Sequence, residues 1–388
     1  QAFSPFGGEV ITDIRGLITG NARVSGNYKS PDILGRFSLE NSGLKIPYLN
    51  TDFDIENSAQ IIVTKDKFQI GYTNITDTKY GTEGLLSGNA AHNNFSDWEL
   101  NLIIEAPERL LVLDTPPDED ALYYGTAFIS GDASIIGPVD ELVINVNATT
   151  EEGTTFKIPI SDTESISDDS FVHFLSPEEK EARIKGEATV SEEIKGLTLN
   201  FDLDINKNAE VEVVVDKVNN STLRGRGAGI LLIEINTNGK FQMYGDFQVF
   251  EGQYDFRYGG IIQRNIEVVP GGNITWDGAP ERANLSLSAV YRTQANPSVL
   301  LDNPSINAKI PVEVYVGLDG ELAQPALSFD IDFPRVSSTL KSELQYKLQN
   351  EEQEQNQALF LLASNSFVND NYAGSNAFGN TLADRVSI

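Results

Sequence analysis

A two-residue alternation of apolar and polar side chains limits this fold more than any other feature. Leu197, Leu199, Phe201, Leu203 and Ile205 take alternate positions, and Val211, Val213 and Val215 follow. The pattern returns at Leu285, Leu287, Ala289 and Tyr291, at Val312, Val314, Val316 and Leu318, and at Leu327, Phe329, Ile331 and Phe333. Between them stand Asp202, Asp204, Asn206, Ser286, Ser288, Ser328, Asp330 and Asp332. A period of two belongs to β-strands, whose successive side chains point to opposite faces. Such strands between Gly, Asn and Asp turns predict antiparallel sheets with one wet face. In GDFQVFEGQYDF, residues 245–256, Phe247 and Val249 share a face with Tyr254 and Phe256, after a turn expected at Gly252. Asp246, Gln248, Asp255 and Arg257 take the other face. Helical period is nearly absent before residue 335.

The strands also repeat. YGTEGLLSGNA (80–90) matches YGTAFISGDA (124–133), and each leads to an apolar strand ending in Ala, WELNLIIEA (98–106) and DELVINVNA (140–148). A Gly-x-Ala element recurs at Gly20, Gly88, Gly131 and Gly186, with a weaker Gly-Ala-Gly at Gly227. The steps from 88 to 131 and from 186 to 227 are 43 and 41 residues, and the step from 131 to 186 is lengthened by an acidic insertion. Units of this size stack into an elongated, quasi-one-dimensional body. The expectation is an all-β chain, a long curled antiparallel sheet forming a groove (a "β-taco") with an apolar interior, plus a C-terminal helical segment.

Two insertions are expected as loops at the sheet margin: the proline-containing run 114–120 and the acidic segment 161–183. In the second, Ser176 as N-cap, Pro177 and Glu179 predict a short helix. After Pro334, Leu340, Leu344 and Leu348 form one helical stripe, followed by a Glu/Gln/Asn-rich run and ALFLLAS (358–364). The organisation read from this is repeated groove units over 1–220, a further β domain over 221–335, helices over 336–366 and a flexible tail over 367–388.

Composition excludes more than it selects. With 28 Lys and Arg against 57 Asp and Glu, the net charge is -29. That opposes binding to nucleic acid, which depends on neutralising phosphates, and to anionic membrane surfaces. The chain has no cysteine, hence neither disulfide framework nor thiolate chemistry. No stretch is long and apolar enough for a membrane helix. The start, QAFSPFGGEV, lacks an initiator Met and a signal-peptide pattern, so a processed or partial chain with an anchor upstream is expected. His92 and His173 have no metal-binding context and are expected as exposed loop residues. Residues 202–213 imitate a calcium loop, but Lys207 replaces the required Gly and Val213 the closing Glu. Gly225 to Gly229 lacks the Lys-Ser/Thr of a phosphate loop and is expected as a turn or strand crossing. Sequons at Asn74, Asn147 and Asn273 matter only in a glycosylating pathway. No nucleophile, base and orienting group come together, so no enzyme, metal or cofactor is expected.

Four ordered elements carry a resemblance: Gly245-x-Phe247-x-Val249; Gly252-x-Tyr254-x-Phe256; PGGNITWDGAPERANLSLSAVY (270–291); and VEVYVGLDGELAQPALSFDIDFP (312–334) followed by a helix at LKSEL (340–344). Over these hundred or so residues the chain resembles the C-terminal domain of the TamB family, the inner-membrane-anchored part of the translocation and assembly module of Gram-negative bacteria. It departs at Ala279, where many members have Asn, and at the Glu/Gln-rich run from Asn350, so a divergent branch is implied. The resemblance implies a periplasmic location, anchorage at the inner membrane, and reach to an outer-membrane barrel partner of the TamA type with POTRA domains. It implies a role in phospholipid movement between the membranes, in outer-membrane protein assembly and secretion, or in both, with phospholipids and nascent outer-membrane proteins as further partners. The groove would be lined by Leu199, Phe201, Leu203, Val211, Val213, Phe241, Met243, Phe247, Val249, Tyr254 and Phe256, then by Leu285, Leu287, Val312, Val314, Val316, Leu327, Phe329 and Ile331. Leu340, Leu344 and Leu348 would dock a partner. Without the resemblance, a closed β-sandwich of a surface or adhesin-like protein fits the same alternation.

Overall fold

In the computed structural model the alternating segments join one nineteen-stranded sheet. Residues 12–27, 30–47, 49–117, 123–158, 196–216, 218–236, 240–301 and 306–369 are described. Most of the acidic insertion's surroundings (159–195, with His173 and Gly186), residues 118–120 of the proline-containing run, and the tail beyond Asn369 lie outside them. The first ten strands are β1 (Thr12–Asn27), β2 (Ser30–Ile46), β3 (Thr51–Ile55), β4 (Gln60–Val63), β5 (Lys67–Asp77), β6 (Glu83–Asn93), β7 (Ser96–Thr115), β8 (Tyr124–Pro138), β9 (Val143–Thr150) and β10 (Thr155–Ile158). The rest are β11 (Thr198–Ile205), β12 (Glu210–Val215), β13 (Ser221–Asn236), β14 (Phe241–Tyr258), β15 (Ile262–Val268), β16 (Asn273–Gly278), β17 (Asn284–Ala295), β18 (Ile310–Glu321) and β19 (Ala326–Asp332).

Neighbours in sequence are neighbours in the sheet. β3 with β4, β9 with β10, β11 with β12 and β15 with β16 are single rungs interrupted at mid-length. Antiparallel pairing holds throughout except at one seam, where β9 runs parallel to β11 and β10 to β12. A parallel pair cannot be joined by a hairpin and needs a crossover. Residues 159–195 link β10 to β11 along the chain, and the acidic insertion 161–183, expected as a loop at the sheet margin, lies within them, outside the described residues. The seam is braced by Asn200 Nδ2 donating to Asn145 Oδ1 (2.9 Å) and Asn206 Nδ2 donating to the Thr150 carbonyl (2.7 Å). The 114–120 run also begins differently from the expected loop: Asp114 still belongs to β7, and its carboxylate accepts from Thr126 Oγ1 at 3.1 Å.

The sheet bends along a line of irregularities. Register slips between Ala106 and Leu110 and between Arg226 and Gly227, and the breaks between β9 and β10 and between β11 and β12, lie side by side. This line is a crease that divides each rung into two arms. Two corrections follow. Gly252 is no turn: β14 is continuous, and its phase changes where Phe250 bulges out between the pairs Gly227–Val249 and Arg226–Glu251. Met243, Phe247 and Val249 on one side of the bulge, and Tyr254, Phe256 and Tyr258 on the other, thus bury the same face. Gly225 to Gly229 likewise lie within β13. The repeated glycines serve close approach: Gly88 (φ +137°) and Gly131 (φ +141°) sit where a Cβ would collide with the carbonyl oxygens of Asn101 and Asn147 on the next strand.

Past β14 the sheet rolls up. Phe256 of β14 meets Phe329 of β19 edge-to-face (6.3 Å between ring centres) although β15, β17 and β18 intervene. A short helix α1 (Ser298–Leu301), then α2 (Ser338–Lys347) and α3 (Glu351–Ser364), complete this end. Ser337 and Asn350 cap α2 and α3 by accepting from Leu340 and Gln353 backbone N–H groups, and Asn365 closes α3 in the left-handed conformation. Leu344 and Leu348 are buried in the chain's own core and Leu340 packs against it, so the leucine stripe is turned inward. Phe367, expected at the start of a flexible tail, is buried beside Phe333.

Two polar groups anchor the first half. Asp77, 1% exposed, accepts from the backbone N–H groups of Lys79 (3.0 Å), Tyr80 (2.7 Å) and Thr82 (2.6 Å) and from the Thr82 hydroxyl. Burial alone would raise its pKa, but these bonds hold it below the ordinary 3.8. The YGT motif is thereby tied into a turn. His92, expected exposed in a loop, is instead in β6 and buried. It stacks on Phe95 (4.5 Å) and lies against Trp98 (4.7 Å) and Phe68 (5.6 Å). Its Nδ1 accepts from the Phe95 N–H at 3.2 Å, which requires the neutral ring, and burial lowers its pKa, Asp66 opposing more weakly.

Replacing Asp77 by Asn is expected to cost roughly 1–3 kcal/mol of stability by chemical denaturation, the range for a buried group losing its partners. Asp77's contribution is complete above 3.8 and is lost as pH falls through its lower folded value, so the variant's acid unfolding limb should be shallower. A variant as stable as wild type at neutral pH would contradict the role assigned to Asp77. For His92, the stabilisation by the neutral ring is complete above 6.5 and is lost as pH falls through its lowered value. Trp98 fluorescence should therefore titrate with a midpoint below 6.5, and the transition should vanish in His92→Gln; a midpoint above 6.5 would refute the burial argument.

Candidate functional site: an apolar trough

Register turns the alternation into files that cross the sheet. Leu102 pairs with Ile135, Ile135 with Ile144, Ile144 with Leu199, Leu199 with Ile235 and Ile235 with Phe241. One step along, the file runs Ile104, Ala133, Val146, Phe201, Ile233, Met243. Each file spans six strands, about 24 Å at the usual strand spacing. The second arm adds Leu110, Val112, Phe156, Ile158 and Val211, and together the arms enclose a trough of about 240 Å³ that extends from Ile46 of β2 to Trp276 of β16. Besides the hydroxyl of Tyr123 and the indole N–H of Trp276, the polar side chains on its wall are the threonines Thr51, Thr150 and Thr154; Asp132 touches it from a position whose side chain is exposed, as are Asp202, Asp204 and Asp246.

The nineteen residues expected to line a groove divide into two groups. Leu199, Phe201, Leu203, Val211, Phe241, Met243 and Phe247 border the trough. Val213, Val249, Tyr254, Phe256, Leu285, Leu287, Val312, Val314, Val316 and Ile331 are buried in the C-terminal core, with Leu327 and Phe329 half-buried against it. Phe201, Leu203, Val211 and Phe241 are half-buried beside the open space, while Leu199, Met243 and Phe247 are buried, as Val314 and Val316 are. Ala358, Leu359, Leu361 and Leu362 of α3 fill the interior at that end. Sequence reading passed over Phe53, Leu102, Ile104, Ile135, Ile144 and Phe156 as lining. For Leu102, Ile104 and Ile144 the signal was present in WELNLIIEA and DELVINVNA.

Aromatic rings join the arms at their free margins. Phe156, on the second arm, stacks on Tyr123 (5.4 Å, 27°), and Tyr123 reaches Phe241 at the margin of the first arm edge-on (6.1 Å, 60°). Among the described residues no three His, Cys, Asp or Glu converge on a metal position, and no helix is long and apolar enough to cross a membrane.

The sequence pattern of the TamB C-terminal domain matches residues 72–387, from within β5 across both the trough and the C-terminal core. No curated protein matches the chain. The chain therefore belongs to the TamB family, the envelope component of the translocation and assembly module that pairs with TamA.

Proposed function

We propose that this chain holds the acyl chains of phospholipids in its trough while they cross the periplasm between the inner and outer membranes, next to a TamA-type barrel with POTRA domains, anchored by a segment outside the chain and without catalysis. The observation that carries the reading is the set of in-register apolar files facing an open cavity while the carboxylates stand on the opposite face. Burying an acyl chain is worth about 0.8 kcal/mol per methylene and needs no specific partner. A peptide strand is a poor occupant: its backbone N–H and C=O groups would be desolvated beside walls whose own backbone groups are already paired, at about 1–3 kcal/mol for each unsatisfied group. Assembly of barrel strands, the family's other role, would use a sheet edge instead.

The test is a charge placed on the floor. Purified wild-type protein is expected to carry copurifying phospholipid by native mass spectrometry. Phe201→Asp should lower occupancy by about tenfold or more, since 1.4 kcal/mol is already tenfold. Ile230→Asp, on the outer face where Ile230 is 63% exposed, should leave it unchanged. Equal occupancy in wild type and Phe201→Asp, both folded by circular dichroism, would remove the trough as the lipid site.

A further inference from the structure

The polar groups on the trough wall are not all engaged. Thr150 Oγ1 accepts from the Asn206 N–H (3.1 Å), and Thr154 Oγ1 from the Phe128 N–H (3.0 Å). Two buried polar atoms on the wall have no hydrogen-bond partner among the described residues: the hydroxyl of Thr51, on β3, and the indole N–H of Trp276, on β16. A threonine hydroxyl rotates and serves nearby backbone groups. The indole N–H is fixed in the plane of a side chain that is 3% exposed, and it is a donor only. Buried tryptophan N–H groups ordinarily find an acceptor, and this one stands where the trough ends.

Register shows what leads to it. Gly131 pairs with Ala148, Ala148 with Leu203, Leu203 with Leu231, Leu231 with Gly245 and Gly245 with Trp276. The file crosses six strands, about 24 Å. Its first two members are small, whereas Val146 and Phe201 on one side of it and Ile129 and Ile205 on the other are large. An extended hydrocarbon chain therefore lies lowest over Gly131 and Ala148 and reaches Trp276 past Leu203 and Leu231. The indole nitrogen is closed to solvent, so the ring turns to meet a ligand. Gly245, opposite it on β14, has no side chain to prevent that turn.

The surroundings select the acceptor. A water needs two to four polar partners, and this end of the wall supplies one donor among aliphatic and aromatic side chains. A phosphate or carboxylate would bring a buried charge, and among the described residues no Lys or Arg lines the trough. A protonated acid or a peptide group would bring a polar hydrogen that is left without a partner. A carboxylic ester brings a neutral acceptor oxygen, no donor, and the hydrocarbon chain that the file accommodates. We infer that the Trp276 N–H donates to the ester carbonyl oxygen of a phospholipid acyl chain. The bond holds the head end of that chain at β16 and turns its tail back along the file toward Gly131. This rests on the lipid reading above and adds to it one polar station, at the last rung of an otherwise uniform path, and a direction for the chain.

The test is a choice between two lipids. Delipidated protein is exposed to vesicles that hold dioleoyl phosphatidylcholine and its dialkyl ether analogue in equal amounts, and the bound lipids are counted by native mass spectrometry. The ether lacks only the carbonyl oxygens. Wild type is expected to carry about three- to tenfold more ester than ether lipid, the range for one hydrogen bond. Trp276→Phe, which keeps a ring and loses the N–H, should carry the two equally. The chain has two tryptophans, so labelling tryptophan with nitrogen-15 gives two indole cross-peaks, and Trp98→Phe identifies the one from Trp276. That peak should move downfield with the ester lipid and stay with the ether. Equal binding of both lipids by wild type, an ester preference that survives in Trp276→Phe, or a Trp276 peak that moves with oleate but not with the ester lipid overturns the inference. If Trp276→Phe is unfolded by circular dichroism, the wild-type ratio and the cross-peak decide. Wild type that carries neither lipid removes the lipid reading as well, whereas wild type that carries both equally removes the role of Trp276 alone.

Discussion

Register is the constraint on which the structure depends. In a strand the side-chain period is two, so a slip of one residue turns every apolar group outward. Across a sheet of nineteen strands such slips would accumulate unless fixed locally. Several devices fix them here. The bulge at Phe250 repairs the phase of β14 after Val249, so Tyr254 and Phe256 return to the inner face. Asn200 bonded to Asn145 sets the parallel seam, where no hairpin turn is available to set it. Asp77 gathers three backbone N–H groups into the turn before β6. Without these, files such as Ile104 to Met243 would not form, and neither would a trough.

The strands themselves were legible. Residues 197–205, 211–215, 285–291, 312–318 and 327–333 alternate, and the structure makes strands of them. What could not be read were features that belong to two strands at once. A bulge exists only against a partner, so Gly252 looked like a turn. His92 looked exposed because Phe68, one of the rings that cover it, comes from the neighbouring strand β5.

The same limit explains why the lining residues could not be told from the core. Val314 and Phe201 stand in equivalent alternations, each between polar neighbours. Val314 is 0% exposed in the core that α3 helps to fill, whereas Phe201 is half-buried and borders the trough. Local pattern says which face is oily. Only the curl of the whole sheet, tightest past β14 where Phe256 meets Phe329, says whether that face is covered by protein. The leucine stripe of α2 is the same case: its period is helical, and its partner turned out to be this chain's own core.

A carrier must bind well enough to admit its cargo and weakly enough to release it, preferably at many equivalent places. A sealed acyl cavity would fail the second condition, because at about 0.8 kcal/mol per methylene a fully buried chain of ordinary length is held by on the order of 10 kcal/mol. The half-buried state of Phe201 and Leu203 points to a wall that covers one side of such a chain and leaves the other less enclosed. The files supply the equivalence: each step from strand to strand, about 4.8 Å, replaces one aliphatic or aromatic contact by another of the same kind, from Ile144 to Leu199 to Ile235. In the proposed lipid reading, the absence of a charged side chain turned into the trough among the described residues leaves no position along it as a trap. The lack of a specific binding chemistry, which made the sequence look silent about function, is then the property that the proposed lipid reading requires.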